Sequence, residues 1–107
     1  MTDRELLEFA AKAAGPDIFG EPGLWFRRLA GSHVTGWNPL TNDGDALRLA
    51  VKLRMMVSGI GKVIVDGVHV QTDSGVCIEA VDPDGDLYAA TRRAIVRAAA
   101  EIGKALP

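Results

Sequence analysis

Residues able to do acid–base, nucleophilic or metal chemistry are few in this chain. It has two histidines, His33 and His69, and one cysteine, Cys77. Two histidines ligate a metal only where carboxylates converge with them, and spacing alone does not bring these together. His69 falls in the alternating run Val68-His-Val-Gln-Thr72. There it is a half-exposed strand residue, for which a plain surface histidine is the expectation. The best hydrolytic pairing on offer is His69 with Glu79, which could lie across a hairpin from each other. Cys77 has no second thiol for a disulfide or a zinc site and sits in an apolar run, so it reads as a small core residue. No G-x-S-x-G elbow, Walker loop, H-E-x-x-H or G-x-G-x-x-G is present. The sequence therefore predicts no catalytic residues, no metal and no cofactor.

The most distinctive text is Thr35-Gly-Trp-Asn-Pro-Leu-Thr-Asn-Asp-Gly-Asp45, running into an apolar helical pattern. One reading makes it a helix entry. Asn42 is the N-cap, and Asp43 and Asp45 favour the positive end of the helix dipole. Pro39 keeps Asn38 out of helical conformation, and Trp37 or Leu40 packs back as a staple. The other reading makes it a ligand site. Trp37 would stack on a nucleotide-like ligand, Asn38 and Asn42 would make polar contacts, and Arg92 and Arg93 from a later helix would grip an anionic group. Asp43 and Asp45 at the helix start would repel phosphate and suit a cation better. An exposed Trp37 favours the ligand site; a buried one removes it. Asn42–Asp45 and Asp82–Asp86 both faintly resemble calcium loops, but neither has the twelve-residue layout with its glycine and glutamate.

Composition narrows the classes further. The 107 residues suffice for one domain and are 48% hydrophobic and 24% charged, as in ordinary globular chains. The net charge is -2, so the basic excess of a nucleic-acid binder is missing. Arg27-Arg28 and Arg92-Arg93 are the only adjacent basic pairs. The charged start Met-Thr-Asp-Arg-Glu does not read as a signal peptide, and no apolar run approaches the ~20 residues of a membrane helix. A soluble, intracellular protein is expected.

The elements that must position these residues follow from periodicity. Thr2–Ala14 reads as a helix with a Thr2/Glu5 capping box and an apolar stripe through Leu6, Ala10 and Ala14. Pro16–Gly23 reads as a loop and Leu24–Ala30 as a short strand; Gly31–Gly36 turns the chain, with His33–Thr35 adding a few extended residues. The second helix is expected over Asp43–Val57, with an apolar arc wide enough for burial on more than one side, and Ser58–Gly61 breaks it. Lys62–Asp66 and Val68–Thr72 alternate as strand, and Asp66-Gly67 between them is either a two-residue hairpin turn or, as the stronger turn at Thr72–Gly75 favours, a glycine bulge in one long strand. A turn at Thr72–Gly75 returns the chain through Val76–Val81. Val68, Val70, Val76 and Ile78 are expected to face a helix layer, with His69, Gln71, Cys77 and Glu79 on the other side. Asp82–Asp86 turns into a last, alanine-rich helix ending near Ala105. The fold class is α+β, a small antiparallel sheet packed between helices as an α/β/α sandwich, with about three helices and three strands.

Three segments also carry a resemblance. Arg4–Gly15 (RELLEFAAKAAG), Trp37–Leu53 (WNPLTNDGDALRLAVKL) and Ala89–Leu106 (AATRRAIVRAAAEIGKAL) are similar to the small phage and prophage proteins of the phage ABA-sandwich domain family. The resemblance implies a sheet between helix layers, a phage or prophage origin and action in the bacterial cytoplasm. It carries over no catalytic residues. The lack of catalytic signatures points to an accessory protein that binds a host or phage protein, with a homodimer expected from the apolar second helix, and charge and hydropathy predict neither nucleic acid nor membrane as partner.

Overall fold

The computed structural model describes residues 1–60, 66–73, 75–81 and 85–107. Helix α1, Asp3–Ala14, starts at the capping box read from the sequence. The Thr2 hydroxyl accepts from the Glu5 amide, and the Glu5 carboxylate accepts from the Thr2 amide. That arrangement holds the Glu5 carboxyl below the usual carboxylate range. Leu6, Ala10, Ala11 and Ala14 are its buried face.

The segment expected to be a loop is instead half of a hairpin. Strand β1, Ile18–Glu21, pairs antiparallel with β2, Leu24–Arg28, with Glu21 opposite Leu24. The two-residue turn is Pro22-Gly23. Proline presets one turn position and Gly23, at φ +95°, takes the positive φ of the next. Strand β3, Val34–Gly36, adds to β2 and completes a first three-stranded sheet.

Helix α2 covers Asp43–Lys52 only, shorter than the apolar pattern suggests. Arg54 adopts φ +54°, the Arg54 amide bonds to the Val51 carbonyl and the Met55 amide to the Ala50 carbonyl. This is a Schellman cap, normally signalled by glycine at the left-handed position. With arginine there the sequence gives no stop, and Met56–Ile60, expected in part as helix, forms strand β4.

Strand β4 pairs antiparallel with β5, Asp66–Thr72, and β5 with β6, Gly75–Val81. The ladder runs regularly through Asp66 and Gly67, so the expected bulge is absent there. The rest of that expected strand, 62–65, lies outside the described residues, as does most of the Asp82–Asp86 turn. The face assignment on β6 is corrected by one residue. Thr72 pairs with Gly75 across two intervening residues, so Val68 opposes Glu79 and Val70 opposes Cys77. Opposed residues share a face, which puts Glu79 and Cys77 with the buried Val68 and Val70.

Helix α3, Leu87–Ala105, is capped by Asp86 and is the element around which the others pack. It touches α1, α2, β5 and β6. Ala94, Ile95, Val96, Ala98, Ala99, Ala100 and Gly103 are buried, so it is covered on more than one side, with Arg97, Glu101 and Lys104 left as an exposed stripe. The sequence assigns that role to α2, yet α2 leaves Leu47 64% and Val51 69% exposed. The molecule is an α+β protein with three helices, as periodicity predicts. It has six described strands in two sheets where about three strands in one sheet are expected.

A methyl group built on Gly103 would land on the Phe9 carbonyl of α1. Gly103→Ala must therefore push two helix backbones apart, and a loss of about 2–3 kcal/mol is expected in urea denaturation. Arg54→Gly should act in the opposite sense, adding about 0.5–1 kcal/mol by relieving the left-handed arginine.

Candidate functional site

The Trp37–Asp45 segment folds into a closed hydrogen-bonded unit. The Asn42 side chain accepts from the Asp45 amide at 2.8 Å, so Asn42 is the N-cap of α2. The Asn38 side chain accepts from the Leu40 amide at 3.0 Å, fixing the corner around Pro39. Asp45 is only 4% exposed. Its Oδ2 accepts from the Asn38 amide at 2.9 Å and its Oδ1 from Arg48 at 2.7 Å. Arg27 approaches the same Oδ1 to 4.0 Å. A buried carboxylate is tolerated when hydrogen bonds and cations surround it in this way.

Arg92 belongs to the same unit. Its Nε donates to the Leu40 carbonyl at 2.8 Å and its Nη1 to Asp43 at 2.6 Å, which ties α3 to the entry of α2. Arg93, next along the helix, does not reach this place. It pairs with Asp3 at 3.0 Å and approaches Glu79 to 3.8 Å on another side of α3. Trp37 is 5% exposed and lies in the core cluster with Ala46, Leu49 and Ala50. Its ring is not free to stack on a planar ligand from solution. Of the seven residues that sequence reading assigns to a ligand, the structure gathers Trp37, Asn38, Asn42, Asp43, Asp45 and Arg92. It turns their polar atoms on one another, as a helix entry requires.

The hydrolytic pairing fails on register. His69 opposes Ile78 while Glu79 opposes Val68, so His69 and Glu79 project from opposite faces of the sheet. Glu79 is engaged with Arg97 and Arg93, and its hydrogen bond raises the Arg97 guanidinium above its ordinary range. Cys77 opens on the cavity that Glu79, Arg93 and Arg97 also line. Burial pushes its thiol up despite the nearby Arg97, which is the reverse of an activated nucleophile. Among the described residues no three His, Cys, Asp or Glu side chains converge as metal ligands.

The apolar face of α2, from which the sequence expects a homodimer, opens on a groove of about 520 Å³ between α2, α3 and β4 that sequence reasoning did not locate. Ala46 and Ala50 form its floor, with Leu47, Val57, Leu87 and Tyr88 along its walls. Its signal is the wide apolar arc of α2, from which the sequence expects both burial on more than one side and a homodimer. No described helix is long and apolar enough to cross a membrane. Comparison with family models, with curated proteins and with solved structures finds no match to this chain.

Asp45→Ala removes the acceptor shared by Asn38 and Arg48 and leaves a buried amide unpaired. A loss of about 2–4 kcal/mol is expected by thermal or urea unfolding, well above that of an ordinary surface substitution.

Proposed function

We propose that this chain is a non-enzymatic protein-interaction module that works as a homodimer closed over the α2/α3/β4 groove. The observation that carries the reading is the apolar character of that groove and its rim. Leu47 and Tyr88 are 64% and 72% exposed, Val57 and Leu87 extend the same surface, and Val51, 69% exposed, lies one turn on from Leu47 along α2. Monomeric soluble proteins rarely leave a contiguous apolar patch of several hundred Å² uncovered. A stable partner typically buries ~800 Å² on each side, and these five side chains would supply the apolar centre of such a contact.

A second copy fits because groove and protrusion lie side by side. Tyr88 stands at the start of α3, beside a floor of two alanines. A two-fold axis near this point would set each Tyr88 over the other copy's Ala46 and Ala50, an isologous contact. Tyrosine suits the position, combining a large apolar ring with a hydroxyl left at the wet margin. The sequence similarity of Arg4–Gly15, Trp37–Leu53 and Ala89–Leu106 to the phage ABA-sandwich domain family supports a phage or prophage accessory protein. On this reading it acts in the bacterial cytoplasm, and the dimer's outer surface meets a host or phage protein. The alternative, sequestration of a nucleotide-like signal beside Trp37, loses its stacking face to the burial of that ring.

Light scattering tests the dimer over a range of concentrations. The native chain is expected at twice its 11.4 kDa mass. Leu47→Asp and Tyr88→Asp change exposed positions and should return it to a single chain with an unaltered circular dichroism spectrum. A native protein that stays at the mass of one chain at every concentration removes the homodimer.

A further inference from the structure

Among the described strands, β1, β3, β4 and β6 stand at sheet edges. An edge strand presents a row of backbone N–H and C=O groups, and native chains guard it with charge, proline, brevity or a bulge. β1 carries Glu21, β3 has three residues and β6 carries Glu79 on its helix side. β4 has none of these protections. Its five residues, Met-Val-Ser-Gly-Ile, include neither charge nor proline, and its ladder with β5 runs one-to-one without a bulge.

The fold does not cover this edge. α2 leads into β4 but packs on α3. Among the described residues, no backbone or side-chain group bonds to the outer side of β4. Met56, Val57 and Ser58 are exposed in succession, although successive residues of a strand face opposite sides. Val57 opposes the buried Val70 and so lies on the helix side, where it lines the α2/α3/β4 groove. Ser58 opposes His69 on the other side.

We propose that the outer edge of β4 pairs antiparallel with β4 of a second copy, joining two three-stranded sheets into one of six strands. This inference rests on the homodimer reading of the α2/α3/β4 groove and states how that dimer closes. A two-fold axis beside an edge strand pairs the strand antiparallel with itself, so the backbone is its own complement. In a regular antiparallel ladder both members of an opposed pair are hydrogen-bonded to each other or neither is, so the axis passes through a residue. Full overlap of the five residues places the axis at Ser58, with Met56 opposite the second copy's Ile60. No like charges meet across such a pair. The axis stands perpendicular to the sheet, which keeps both grooves on the same side of it, flanking the seam.

Cysteine cross-linking tests the register. In a Cys77→Ser background, Ser58→Cys changes an exposed side chain and sets its two copies directly opposite. Opposed residues lie about 4.5–5.5 Å apart at Cα, within the span of a disulfide. Mild oxidation is expected to join most of the protein into covalent dimers. Gln71→Cys, exposed on the same face of β5, should stay uncrosslinked. Amide exchange read by NMR on the native chain is the second measurement. Every β4 amide should be protected there, whereas alternate ones should exchange freely in the Tyr88→Asp variant. In a protein that light scattering shows to be a dimer, absence of the Ser58→Cys cross-link or free exchange of alternate β4 amides overturns the strand pairing and leaves the groove dimer standing. A single-chain mass at every concentration removes both.

Discussion

The close approach of α1 to α3 is the contact on which the rest of the structure depends. It is made by residues with almost no side chain. Ala10 and Ala14 on one helix and a run of buried alanines ending in Gly103 on the other let the backbones meet. Small residues contribute little transfer free energy individually, yet interdigitated backbones gain dispersion contacts over their whole length. With α1 seated in this way, the opposite sides of α3 remain to receive α2 and the β4–β6 sheet. Bulk enters the core from those later layers, through Val68, Val70, Leu49 and Trp37.

A second constraint is electrostatic and sits at the entry to α2. Asp45 is a single buried carboxylate that joins the Asn38 corner to the second helix and draws cations from α2 and β2 towards it. The neighbouring Arg92–Asp43 pair fastens the same corner to α3. Three elements are thus keyed to one nine-residue segment. A segment that must satisfy so many internal acceptors has few polar atoms left for a ligand.

The helices were legible because their signals are local. Thr2 with Glu5, Asn42 and Asp86 each mark a start by chemistry confined to one turn. Where a signal was non-local or chemically unusual, the sequence misled. The end of α2 rests on an arginine in a glycine conformation. The β1–β2 hairpin is announced only by Pro22-Gly23, which reads equally well as loop punctuation. The faces of β6 depend on the number of residues between Thr72 and Gly75, since a shift by one reverses every side chain. The candidate site suffered most. The polar residues of Trp37–Asp45 are as suited to a helix cap as to a ligand, and only burial separates the two.

The central place of α3 has a consequence for synthesis. Synthesis runs from α1 towards α3, so the helix that α1, α2 and the second sheet all require emerges after each of them. Until Gly103 has left the exit tunnel, the alanine stripe of α1 has no surface to close on. The nascent polypeptide must therefore carry these apolar faces uncovered until α3 has followed them. Final assembly is then a single late event that joins contacts far apart in sequence. During that interval the Val- and Met-bearing strand β4 and the open side of α2 are free to meet another chain, so a chaperone or a sister molecule could engage them before the fold is complete.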